Sequence, residues 1–103
     1  MPVKNAADEG QVREAEKKAK LGREQELADM RKLLATDFGR RFVWRVMSRA
    51  RVFESIWEQS AKIHYNAGQQ DFGHFIMAEV VEAGPEHLLR MMQEAKQGEQ
   101  SNA

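Results

Sequence analysis

"TDFGRRFVWRVMSRARV", residues 36–52, decides how this chain folds. Thr36 or Asp37 can accept a hydrogen bond from the unsatisfied amides that open a helix. Behind them Phe38, Phe42, Val43, Val46, Met47 and Ala50 recur at helical spacing. The stretch predicts a helix that starts at Asp37 and carries a phenylalanine-led apolar arc. Gly39 falls inside the arc, where a glycine costs about 1 kcal/mol relative to alanine. Close approach of a neighbouring backbone is the expected compensation.

The triplet Asp-Phe-Gly returns at residues 71–73, followed by an arc of Phe72, Ile76, Val80 and Ala83. Gly73 again stands one residue after the phenylalanine, and Gly68 lies five residues before it. Two readings stay open: a helix capped at Asp71, or a longer one beginning at about residue 62. Either way the sequence predicts a close helix crossing, with Phe38, Gly39, Phe42 and Val46 meeting Gly68, Phe72, Gly73, Ile76 and Val80. A kinase use of the triplet is excluded, because a chain of 103 residues lacks the glycine-rich loop, paired lysine and catalytic loop that give it meaning.

Upstream, residues 8–35 are dominated by Glu, Lys, Arg, Gln and Ala, which favour helix. Only Leu27, Met30, Leu33 and Leu34 form a substantial stripe, while Val12, Ala15 and Ala19 make a thin line that buries little. The first half is therefore a solvated, fraying helix or a disordered arm, suited to docking on another chain. Residues 51–68 read as a turn plus a short helix. Gly84 stops the preceding helix, Pro85 opens the next at its first position, and Gly98 ends it, with Leu88, Leu89, Met91 and Met92 as its apolar surface. The expected fold is all-α: a small bundle of three to four helices with a long polar N-terminal helix or arm. Its parts are the arm at 1–29, a helical domain at 30–97 and a frayed tail at 98–103.

A core of about 65 to 70 residues gives thin stability, so a partner or self-association is expected. Cysteine is absent, which removes disulfides and thiolate metal sites. No apolar run approaches the roughly 18 residues of a membrane span, and the first ten residues lack the apolar core of a signal peptide, so a soluble intracellular protein is expected.

Zero net charge hides a gradient: residues 37–52 carry five arginines against Asp37 alone, and residues 53–103 carry three Lys/Arg against eight Asp/Glu. Arg40, Arg41, Arg45, Arg49 and Arg51, with Trp44 among them, are expected to spread over the side opposite the phenylalanine arc. Trp44 either stacks under an arginine or folds over the edge of the core. The arginine face suits a phosphate backbone or an acidic protein, yet no recognition-helix, RRM or KH signature accompanies it. Alternatively the basic and acidic segments pack together, with Glu79 and Glu82 pairing with Arg41 or Arg45. His64, His74 and His87 form no metal-ligand pattern, and no nucleophile, base and orienting group assemble. Neither a catalytic residue, a metal site nor a cofactor is expected.

"DFGRRFVWRVMSRARVF" together with "NAGQQDFGHFIMAEVVEAGPEHLLRMMQEA" resembles a family of short helical proteins of short-tailed bacteriophages and prophages, named after a Bordetella phage protein. The likeness covers about residues 30–96 and rests on Gly39, Arg40, Arg41, Phe42, Trp44 and Arg45, then on Gly68 and Gly73 before an apolar helix. Family members generally carry a basic residue soon after the first glycine of that pair, where this chain has Gln69 and Gln70. The resemblance implies a gene near portal, terminase and head genes, without enzyme activity. The expectation that follows is a morphogenesis protein, in the host cytoplasm during infection or in the virion, that binds portal, capsid or internal virion protein. Nucleic-acid binding through the arginines is the first alternative, and inhibition of a host protein the second.

Overall fold

A computed structural model describes residues 6–101. The outermost parts of the expected arm and tail, residues 1–5 and 102–103, lie outside the described residues. Four helices follow one another: α1 Ala6–Leu34, α2 Asp37–Arg49, α3 Lys62–Ala83 and α4 Pro85–Ser101. Among the described residues there is no strand, and the fold is a small all-α bundle.

Helix α1 is about 43 Å long at 1.5 Å per residue. Asp8 and Glu9 in its first turn and Arg31 and Lys32 in its last complement the helix dipole. Residues 11–22 are exposed on every side, whereas Leu27, Met30 and Leu34 turn toward the bundle. Only the second half of the helix has an apolar face wide enough to pack.

The turn into α2 forms as the sequence predicts. Thr36 is extended, with φ −103° and ψ 146°, and its hydroxyl accepts from the Gly39 amide at 3.0 Å. Gly39 is needed because a Cβ there would collide with the carbonyl oxygen of Leu33, at the end of α1. The close backbone approach expected of this glycine is thus real. At its other end α2 closes with paired reverse bonds, Val52 N to Met47 O at 3.3 Å and Arg51 N to Ser48 O at 3.0 Å. Arg51 sits between them at φ 60°, a left-handed position that glycine usually fills.

No separate short helix forms between residues 51 and 68: residues 51–61 are turn and irregular loop, and residues 62–68 are the first turns of α3. Serines compete for the local backbone instead: Trp57 N donates to Ser55 Oγ and Lys62 N to Ser60 Oγ. The Gln70 side chain holds the start of this loop, donating to the Arg51 carbonyl at 2.6 Å and the Glu54 carbonyl at 2.8 Å.

Helix α3 is a single helix from Lys62, so Asp71 lies in its interior and caps nothing. Gly84 separates it from α4, which Pro85 opens. Gly98 does not end α4, which runs on to Ser101. α3 is the hub, packing on α1, α2 and α4.

Leu34, Val43, Met47, Ala50, Val52, Val80, Ala83 and Met91 make the buried core, with Met30, Trp44, Ile76, Met77 and Leu88 packed around it. The expected crossing is displaced. Phe38, Phe42 and Phe72 are 66%, 53% and 62% exposed, so they lie outside the core. The contact is made instead by Gly73 of α3 against Ala50 and Val52, where a Cβ on Gly73 would come within 2.6 Å of Val52 Cγ2. Small residues win that place because they let the helices approach, while the phenylalanines one step around each helix are turned outward. Gly68 has open space around it and takes no part. Val46 and Ile76 are half-buried at the edge of the contact, and Val80 is fully buried.

The result is a flat molecule. Its extents are 68 × 39 × 16 Å and its radius of gyration is 19.7 Å, against about 13 Å for a compact globule of this length.

Candidate interaction surface

A layer of helices this thin leaves both faces uncovered, and large apolar side chains populate them. Besides the three phenylalanines, Tyr65, Phe75, Trp57 and Leu89 are all more than half exposed. Phe72 and Phe75 stack on α3 with ring centres 6.0 Å apart. On α2, Phe38, Phe42, Arg45 and Arg49 form one stripe at helical spacing, and the Arg45 guanidinium lies over the Phe42 ring at 5.5 Å. Arg45 and Arg49 therefore share the phenylalanine face, contrary to the expectation that they oppose it.

Between the two helices runs an open groove of about 450 Å³, lined by Arg45, Val46, Arg49 and Ala50 of α2 and by Gln69 and Phe72 of α3. It is mostly apolar, and its only charges are positive. Among the described residues no carboxylate forms an ion pair with Arg41, Arg45 or Arg49. Arg51 lies beyond the helix on the exposed turn.

Arg40 does not belong to this face. It is 2% exposed, and its guanidinium ties three elements together: Nε donates to Glu94 Oε1 of α4 at 2.6 Å, Nη1 to the Leu34 carbonyl of α1 at 2.8 Å, and Nη2 to Asp37. A buried guanidinium must satisfy its forked donors, and the last carbonyl of α1 and two carboxylates accept from it. Trp44 folds over the core edge, stacking on Phe53 at 5.4 Å, rather than under an arginine. Together Arg40, Arg41, Trp44, Met91 and Glu94 border a second cleft of about 410 Å³ between α2 and α4.

Glu79 and Glu82 pair with neither Arg41 nor Arg45. Both bind Arg23 of α1, with Nη1 to Glu79 Oε2 at 2.7 Å and Nη2 to Glu82. Hydrogen bonds to Glu82 and then Glu79 raise the Arg23 pKa further, so this cation stays charged over any usable pH. Arg31 Nε donates to the Ala83 carbonyl at 2.8 Å, capping α3. Arg23 and Arg31 were not singled out by sequence reasoning. The one available signal is spacing: Arg23 shares a helix face with Leu27, Met30 and Leu34.

His64 and His74 are exposed on α3, and His87 lies on α4 with Glu86 at 3.8 Å. Among the described residues no three His, Asp or Glu side chains converge as metal ligands, and no helix is long and apolar enough to cross a membrane. No family model, curated protein or solved structure matches the chain.

Proposed function

We propose that this is a non-enzymatic helical protein of bacteriophage morphogenesis that binds a head, portal or internal virion protein. The observation that carries the binding role is the amount of aromatic surface the fold leaves uncovered, concentrated on α2 and α3. Exposed apolar patches of this kind mark protein contacts. The phage setting comes from the resemblance of residues 30–96 to the short-tailed phage family. Purified virions and procapsids, analysed by mass spectrometry with lysine crosslinking, test the reading. Recovery of the protein crosslinked to portal or capsid is the expected result, and absence from both particles overturns it.

A second reading, nucleic-acid binding, is favoured by one observation: Arg41, Arg45 and Arg49 stand exposed on one helix without carboxylate partners. Such binding weakens steeply with salt, and Arg45→Ala with Arg49→Ala lowers that slope by roughly two phosphate contacts. A salt-independent response argues against it.

A further inference from the structure

The exposed arginines of α2 form a row. Arg41, Arg45 and Arg49 follow one another at intervals of four residues, about 6 Å of rise each. Like charges at that spacing weaken a helix, and among the described residues no carboxylate forms an ion pair with any of the three. Arg45 lies over the Phe42 ring, which directs the guanidinium without neutralising it. The arginines that hold the bundle together are placed differently: Arg23 meets Glu79 and Glu82, Arg31 the Ala83 carbonyl, and Arg40 the Glu94 carboxylate. Nothing inside the described chain offsets the charge of the row.

Two members of the row, Arg45 and Arg49, border the α2–α3 groove, whose other lining is Val46, Ala50, Gln69 and the Phe72 ring. The carboxylates of α3 do not cancel them. Asp71 lies about 100° around α3 from Phe72, and Glu79, two turns beyond Phe72 on its own side, is held by Arg23 at 2.7 Å. A phosphate backbone would match the row but leave Phe72 and Val46 in water. We infer that the groove receives an acidic amphipathic helix of a different protein. Its apolar side chains pack on Val46, Ala50 and Phe72, and two of its carboxylates, four residues apart, meet Arg45 and Arg49. Carboxylates at that spacing repeat at the same rise of about 6 Å as the two guanidiniums, so each faces one donor fork. A helix laid in an apolar groove is an established mode of peptide recognition. The inference rests on the binding role proposed above and not on the phage setting.

Fluorescence anisotropy of the full chain with labelled probe peptides tests this. The first probe is a peptide of about 18 residues, long enough to hold a helix, with leucines along one side and glutamates four apart on the flank. The second keeps the leucines and carries lysines in place of the glutamates. The natural chain is expected to bind the glutamate peptide at least about tenfold more tightly than the lysine peptide, with a preference that shrinks in salt. Arg45→Glu with Arg49→Glu reverses the preference, and Phe72→Ser weakens both peptides. All three positions are exposed, and circular dichroism verifies that each variant keeps its helices. Equal affinity for the two peptides, or binding of neither, overturns the inference. A single-stranded oligonucleotide that displaces the glutamate peptide at lower concentration than the unlabelled peptide does also overturns it, and gives the row to phosphates. Dimerisation in sedimentation velocity that the Arg45 and Arg49 variant loses overturns it as well, and gives the groove to a second copy. Mass spectrometry of particles reads the phage setting separately. A chain found in virions that ignores the glutamate peptide refutes the groove alone, and a chain absent from them that binds it refutes the phage setting alone.

Discussion

Arg40 Nε donates to Glu94 Oε1 at 2.6 Å, joining the start of α2 to the middle of α4 across the edge of the core. The same guanidinium holds the Leu34 carbonyl, so one buried cation fixes the relative places of α1, α2 and α4. Removing it leaves the Leu34 carbonyl without its side-chain donor, leaves Glu94 with Arg90 at 3.5 Å alone, and opens space beside Met91. Arg40→Ala is expected to cost about 3 to 5 kcal/mol in urea unfolding, the range for breaking one side of a buried pair. Glu94→Ala costs less, because Asp37 and Leu34 still receive two of the donors. Arg40→Met with Glu94→Leu recovers much of the loss, and a double-mutant cycle separates coupling from cavity.

Gly68 and Gly73 are five residues apart on one helix and are expected to respond oppositely to alanine. A methyl on Gly73 would meet Ala50 Cβ and Val52 Cγ2, so Gly73→Ala forces α2 away and costs about 1 to 3 kcal/mol. Gly68 has nothing within 4 Å, so Gly68→Ala gains about 0.5 to 1 kcal/mol from helix propensity alone. Thermal unfolding of the two variants reads the difference, which disappears if Gly73 does not form the crossing.

The helix start at Thr36 and Asp37, the stop at Gly84 and the opening at Pro85 were all legible in sequence, because caps and breakers act through local backbone chemistry. Which side of α2 faces the core was not. Phe38 and Phe42 lie about a third of a turn from Val43 and Met47, and both sets obey helical spacing. Hydrophobicity ranks phenylalanine first, but the distance between helices is set by the smallest residue in the contact. Gly73, Ala50 and Gly39 carried that information without advertising it. Arg40 shows the same gap from the polar side. Asp37 and the Leu34 carbonyl are near it in sequence, but its third partner, Glu94, is 54 residues away, and sequence spacing does not show that the three converge on Arg40 rather than on Arg41.

Arg51 at φ 60° is a side-chain-bearing residue in a place built for glycine. A left-handed conformation costs a non-glycine residue about 1 to 2 kcal/mol. The two capping bonds and the Gln70 latch use only backbone atoms of residue 51, so they survive replacement. Arg51→Gly is expected to stabilise the fold by about 1 kcal/mol, after the extra entropy of glycine in the unfolded chain is subtracted. That corresponds to a rise of roughly 4 to 8 °C in Tm for a domain of this size. An unchanged or lowered Tm would mean that the Arg51 side chain contributes more than its backbone strain removes.

The outward phenylalanines separate folding from association in a single pair of measurements. Phe38, Phe42 and Phe72 keep more than half of their surface in water, so truncating them removes little burial. Phe38→Ser, Phe42→Ser and Phe72→Ser are each expected to change unfolding free energy by about 0.5 kcal/mol or less. Were they the helix-crossing core that their spacing suggests, each would cost about 3 to 5 kcal/mol. Phe72 alone of the three lines the groove, so Phe72→Ser is expected to weaken binding of the proposed protein partner at the groove more than Phe38→Ser does. Urea unfolding and lysine crosslinking to particle proteins, on the same variants, distinguish the outcomes. Loss of stability in Phe72→Ser would place its ring inside the fold, and loss of association without loss of stability places it at the contact.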